Sequence, residues 1–406
     1  MIYTKNKILA IFFIFIININ LSSIVGLKIY EEDITNNVIT INSNEYNIDK
    51  IINFSMKLGK IPSVSTCILN NNEIVWYKGY GLCNIEKQTK PDINTIYMIA
   101  SISKSITATA LMKLYEQDFF DLDEDINSYL PFEIKNPYFP NVNITFRMLL
   151  SHTSSLGPEP DYYHYVEYDK DPDPLNNWIK DYFYENGTLK TSNWNHIKPG
   201  NQYQYNSIDY CLIGYLIEQM TNKTFNQYCK ETIFQPLQMN NSSFLLSNID
   251  RNKTAIPYML EDGSMRCKYF FPLEYYSWKM YPAGNMMSSI EDLSHFLIMH
   301  MNNGEYKGIR VLNETTTELM HLLQTPKPHV KSQYGLGFQI WPKITETDHI
   351  GHDGALYGYN SKMKFRSSKD SGIIFFINRA ISNEIQGKIA LLLIEKALWK
   401  MVDQIY

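Results

Sequence analysis

Ser101-Ile102-Ser103-Lys104-Ser105-Ile106-Thr107-Ala108-Thr109-Ala110-Leu111-Met112 is the stretch on which the reading of this chain turns. It opens with S-x-x-K, Ser101 to Lys104, and leads an apolar, helix-patterned run through Leu114-Tyr115 that stops before Asp121-Leu122-Asp123. A serine hydroxyl is a poor nucleophile until a base takes its proton. On a helix, a residue three positions on shares the same face, so Lys104 can reach the Ser101 oxygen. A chain of this length yields about one such match by chance, and Ser361 with Lys364 is a second copy. That copy sits in the alternating run Ser361-Lys362-Met363-Lys364-Phe365-Arg366, which reads as a strand, where positions i and i+3 face opposite sides. The first copy is the candidate site, joined downstream by Tyr205-Asn206-Ser207 and His352-Asp353-Gly354.

Around that stretch, a chain of 406 residues has room for one large core or two cooperating subdomains. A net charge of -5 with no Lys/Arg run gives no electrostatic footprint for nucleic acid. Residues 1–26 read as a secretory signal: Lys5 and Lys7 precede the apolar run Ile8–Ile17, and Ser22, Ser23 and Gly26 offer small residues near a cleavage point. A membrane anchor needs about 20 apolar residues, and Asn18 and Asn20 interrupt the run first. The expected product is residues 27–406, secreted or held in a secretory-pathway lumen, with no stable membrane anchor. N-glycosylation sequons fall at Asn53, Asn143, Asn186, Asn222, Asn240, Asn241, Asn252 and Asn313. Cys67, Cys83, Cys211, Cys229 and Cys267 are an odd set without a C-x-x-C pair or metal spacing. One or two disulfides stay open, with at least one thiol left over. No metal is expected: Asp348, His349, His352 and Asp353 lack H-E-x-x-H spacing, and a strand would splay the two histidines apart.

Residues 44–58 carry Ile48, Ile51, Ile52 and Ser55-Met56 at helical spacing, and Ser63 to Leu69 with Glu73 to Tyr77 read as a hairpin around Asn70-Asn71-Asn72. The middle is helix-patterned and loop-rich; Ile208 to Met220 and Ile290 to Met301 are its clearest helices. Strand patterns return at Leu336 to Trp341, Ser361 to Arg366 and Gly372 to Ile377, before a last helix from about Asn383 to Met401. The pattern predicts an α+β fold. Its antiparallel sheet is built from both chain ends, about 44–100 and 330–406, and flanked by helices, with a mostly helical insert at about 120–300.

With these motifs in order, the chain resembles the serine β-lactamase and penicillin-binding superfamily, in particular its class C and serine-esterase branch. The resemblance runs from about residue 60 to 380. It also rests on Leu122-Asp123-Glu124-Asp125 followed by Tyr129-Leu130-Pro131, on Leu149-Leu150-Ser151-His152-Thr153-Ser154 and on Tyr334-Gly335-Leu336-Gly337. It implies that Ser101 is the acylated nucleophile, that Lys104 and Tyr205 share proton transfer, and that the backbone N–H groups of Ser101 and Ala355 form the oxyanion hole. It further implies that His352 binds a substrate carboxylate or hydrogen-bonds the tyrosine, that Gly354 lets backbone approach the acyl group, and that Ser207 contacts substrate. Ser207 stands where relatives often carry asparagine, and serine is shorter and lacks the paired amide donor and acceptor. His152 reads as a structural hydrogen-bonder. The function so implied is a secreted serine hydrolase acting on esters, small amides, D-amino-acid peptides or β-lactams. Its partner would be that small-molecule or peptide substrate, with no cofactor. The alternative is a catalytically silent secreted glycoprotein that keeps the fold for binding.

Overall fold

Asn71 and Asn72 both adopt positive φ, 46° and 62°, the conformation that a two-residue hairpin turn demands. They join β1 (Ser63–Asn70) to β2 (Glu73–Gly81). The late strands are β3 (Gln333–Tyr334), β4 (Gln339–Trp341), β5 (His349–Leu356), β6 (Tyr359–Arg366) and β7 (Ser371–Ile377). In this computed structural model all seven form one antiparallel sheet in the order β3-β4-β5-β6-β7-β1-β2. The structure describes residues 47–405 apart from 159–164, 263–267, 327–332, 342–347 and 382–383. The expected secretory signal and Cys267 lie outside the described residues.

The sheet is thus built from both chain ends, as the strand patterns predict. β1 and β7 are buried at every position, so both of their faces must be covered by helices. The long helices are α1 (Ile48–Gly59), α2 (Ser103–Tyr115), α3 (Ser207–Thr221), α4 (Ile290–Met301) and α5 (Ile385–Val402). A Cβ on Gly372 of β7 would meet Leu297 and Met301, which places α4 on that face of the sheet. Lys362 of β6 reaches Glu395 of α5 on the opposite face. α2 packs against α3 and is buried on almost every side, which explains its lack of an amphipathic stripe.

Two expectations change. The strand predicted from Leu336 starts only at Gln339, because Gly337 turns the chain at φ +86° and presses against Ala108 of α2, where a Cβ would come within 2.2 Å. The middle region also carries short two-stranded ribbons, such as Tyr258–Asp262 with Lys268–Pro272, among its helices. Cys67, Cys83, Cys211 and Cys229 are buried, and none of them is in a disulfide among the described residues.

Candidate active site

Ser101 sits in a single 3-10 turn, Ala100–Ile102, that feeds straight into α2. Ala100, just before it, is held at φ +49°, a left-handed conformation that a residue with a Cβ adopts only when its surroundings impose it. Those surroundings are specific. Ser103 Oγ donates to Ala100 O (2.6 Å) and accepts from the Met286 N–H (3.0 Å). Ser361 Oγ on β6 donates to Ile99 O (2.6 Å). Gly354 of β5 is forced to be glycine, since a Cβ would stand 2.3 Å from Ile99 O and 2.3 Å from Ser361 Oγ. Its role is therefore to let the strand press against the turn that carries Ser101, a closer constraint than the approach to an acyl group that the resemblance implies.

Lys104 is fully buried one helical turn on. Its Nζ lies 3.1 Å from Ser101 Oγ and donates to Ala283 O (2.8 Å), on the short helix Tyr281–Gly284. It also stands 4.8 Å from the centre of the Tyr205 ring. Tyr205 precedes α3, whose N-cap is Asn206: the Asn206 Oδ1 accepts from the Ile208 N–H (2.7 Å). The helix start thus fixes the backbone beside Tyr205, and the His152 ring backs the tyrosine at 4.5 Å between centroids. His152 Nδ1 lies 3.0 Å from Asp209 Oδ2, and Ser154 Oγ donates to Asp209 Oδ1 (2.5 Å). Burial pushes the His152 imidazole well below its ordinary pKa, and the Lys104 charge pushes it the same way.

Ser207 and His352 are not placed as expected. Ser207 is the first residue of α3, fully buried, and absent from the cavity wall beside Ser101. Asn206 caps the helix and turns the next residue inward. His352 lies within β5, fully buried, with both ring nitrogens engaged. Nδ1–H donates to Asp353 O (2.6 Å), so Nε2 accepts from Tyr334 Oη (2.9 Å). Burial, helped by Lys104, lowers its pKa to about 3, so the ring is neutral near pH 7 and offers no cation to a substrate carboxylate. The tyrosine that it bonds is Tyr334, not Tyr205.

The groups that do converge line a cavity of about 480 Å³: Ser101, Tyr205, Gly354, Ala355 and Ser361, together with Lys362, Lys388, Leu391 and Leu392. Ala355 is exposed there, next to the buried Gly354. A serine hydroxyl beside a lysine amine, a tyrosine and an open strand edge is an arrangement suited to acyl transfer. The Beta-lactamase family profile matches residues 48–397. The chain belongs to the beta-lactamase family.

Protein flp of Staphylococcus aureus (strain N315) is 26% identical over 338 residues, which is 83% of this chain and 64% of that protein, so the chain spans less than two thirds of that relative. The octameric penicillin-binding protein homologue from Pyrococcus abyssi aligns with a TM-score of 0.68 at 24% identity, over 85% of this chain and 76% of that one. The D-amino acid amidase from Ochrobactrum anthropi SV3 aligns with a TM-score of 0.66 at 20% identity, over 87% and 98%. At these identities the structural likeness is one of fold. Within this beta-lactamase fold, sequence reasoning missed Ser361 and Tyr334. Ser361 carried a signal, since it belongs to the second S-x-x-K copy; as a strand residue it buttresses the turn that carries Ser101 through Ile99. Tyr334 carried only its place in Tyr334-Gly335-Leu336-Gly337.

Proposed function

We propose that this chain is a secreted serine hydrolase that works through an acyl-enzyme on Ser101. The observation that carries the reading is the 3.1 Å approach of a fully buried Lys104 Nζ to Ser101 Oγ at the wall of an open cavity. Ser101 Oγ bonds to the substrate carbonyl carbon while its proton passes to the Lys104–Tyr205 pair. The same proton then goes to the departing alcohol or amine as its bond to the acyl carbon breaks. Water repeats the sequence and frees the acid. The N–H groups of Ser101 and Ala355 are the donors for the developing oxyanion.

The substrate class is a small ester or amide, D-amino-acid derivatives and β-lactams included, in line with relatives named as an amidase and as penicillin-binding proteins. A neutral, enclosed His352 removes one cationic anchor for an acidic substrate. Secretion rests on the amino-terminal pattern, and glycosylation is supported by exposure: Asn53, Asn143, Asn186, Asn222, Asn240, Asn252 and Asn313 are exposed, and only Asn241 is half-buried. No helix among the described residues is long and apolar enough to cross a membrane.

The test is hydrolysis of p-nitrophenyl butyrate, nitrocefin and D-alaninamide by the purified protein and by Ser101→Ala. Turnover of at least one substrate that vanishes in the variant supports the reading. Turnover that survives in Ser101→Ala, or none on any substrate, contradicts it. Secretion is checked separately by amino-terminal sequencing and by a mobility shift after glycosidase treatment.

A further inference from the structure

β4 covers β5 only from His349 to Gly351. From His352 onward, that edge of β5 has no strand partner among the described residues. The Asp353 N–H faces this open side, because it donates to Gln339 Oε1 (3.1 Å) instead of to β6. Backbone directions in an antiparallel strand repeat every second residue, so the N–H and C=O of Ala355 face the same side. Asp353 and Ala355 are therefore the positions where an extended chain could add to β5 beside Ser101.

They are not equivalent. Gln339 begins β4, and Gly337 turns the chain away just before it, so β4 has no backbone group to pair with Asp353. The Gln339 side chain supplies the missing ladder bond. On the carbonyl side, His352 Nδ1–H takes Asp353 O (2.6 Å). Both backbone groups of Asp353 are thus occupied by side chains, whereas Ala355 is exposed at the cavity.

We propose that this capped edge limits the enzyme to substrates with one residue length of amide backbone beside the scissile bond, and that Gln339 is the residue that sets the limit. The inference rests on Ser101 being the nucleophile of a hydrolase. A single amide group pairs with Ala355 alone. A longer peptide running along β5 reaches Asp353 and must break the Gln339 bond before it can make its own, so extension gains nothing. Removing the cap exposes a free N–H and rewards extension by about three- to tenfold, the range one hydrogen bond supports.

The experiment compares one-residue and three-residue acyl-alanine p-nitrophenyl esters, together with a matched pair of amides lengthened on the leaving-group side. Wild type is expected to gain nothing from the extension that passes Asp353. Gln339→Ala should shift that ratio toward the long member by three- to tenfold, while Gln339→Glu, which keeps an acceptor at the same reach, should keep the wild-type ratio. A wild type that prefers the long member of both pairs overturns the proposal, as does a folded Gln339→Ala whose ratios do not move. Binding of the three-residue amide to Ser101→Ala, with and without Gln339→Ala, gives a readout independent of turnover. Equal affinities there also overturn the proposal. If wild type forms no adduct at Ser101 and cleaves nothing, the hydrolase reading fails, and the binding comparison still decides the edge.

Discussion

The two faces of β5 handle buried polar groups by opposite means. On the face toward Ser101, His352 is a neutral ring held by two hydrogen bonds. On the face toward α5, Asp353 joins a network of charges. Lys362 Nζ lies 2.6 Å from Glu395 Oε2 and 3.3 Å from Asp353 Oδ2. Lys364 Nζ lies 2.8 Å from Glu395 Oε1 and 3.7 Å from the centre of the Trp341 ring. Burial, helped by the nearby Lys104, keeps the ring on the Ser101 face uncharged. The far face tolerates two lysines because two carboxylates cancel them. One strand thus separates a region that depends on staying neutral from one that depends on staying charged.

Acid should break the first region well before the second. Burial holds His152, His300, His321 and His352 below the ordinary histidine value, to about 3 for His300 and His352. A histidine depressed in the folded state takes up its proton on unfolding, so its stabilising contribution is present above about pH 6.5 and is lost as pH falls toward the folded pKa. The four together should lose about 5 kcal/mol between pH 7.5 and 5.5. Burial works against the Glu395 carboxylate, but Lys362 and Lys364 hold it well below the usual range. Its contribution is present above about pH 4.5 and is lost only below that. Urea midpoints across pH should therefore fall in two stages, and a flat profile from pH 7.5 to 5.5 would contradict the neutral interior.

On the reaction face, Lys104→Ala should slow acylation by about a thousandfold, roughly 4 kcal/mol. Under the proposed sharing of one proton transfer by Lys104 and Tyr205, adding Tyr205→Phe should cost far less than its effect in the wild type. Stopped-flow acylation rates for the two single variants and the double variant check this, and strict additivity would separate the two residues. On the far face, Glu395→Gln leaves both lysines with Asp353 alone and should destabilise the fold by about 3 kcal/mol, measured by urea unfolding. A change below about 0.5 kcal/mol would mean that the network is solvated like a surface pair.

The smallest expected effect is at the seam between the faces. Ser361→Ala removes the hydrogen bond to Ile99 O and loosens the turn that carries Ser101. A drop of about three- to tenfold in kcat/KM is expected, with little change in KM. Unchanged kinetics would return Ser361 to the status of an ordinary strand residue.

Much of this arrangement is legible in the sequence. S-x-x-K at the head of a helix placed Lys104 over Ser101, because helical spacing is local and regular. Asn70-Asn71-Asn72 marked the first hairpin, and the strand reading of Ser361 to Arg366 correctly separated Ser361 from Lys364. His352 was misread for a physical reason: its neighbours in sequence say nothing of Tyr334, whose hydroxyl reaches it across the sheet. Ser207 was misread because the preceding Asn206 acts as a helix cap, which turns the motif's third residue inward. Gln339 had no sequence signal, since its task depends on where β4 ends relative to β5.

The central claim is that Ser101 is the nucleophile, and intact-protein mass spectrometry after fluorophosphonate treatment tests it most directly. One covalent adduct is expected, mapped by peptide sequencing to Ser101 and missing from Ser101→Ala. An adduct on any other serine, or a folded protein that no serine-reactive probe modifies, would contradict it.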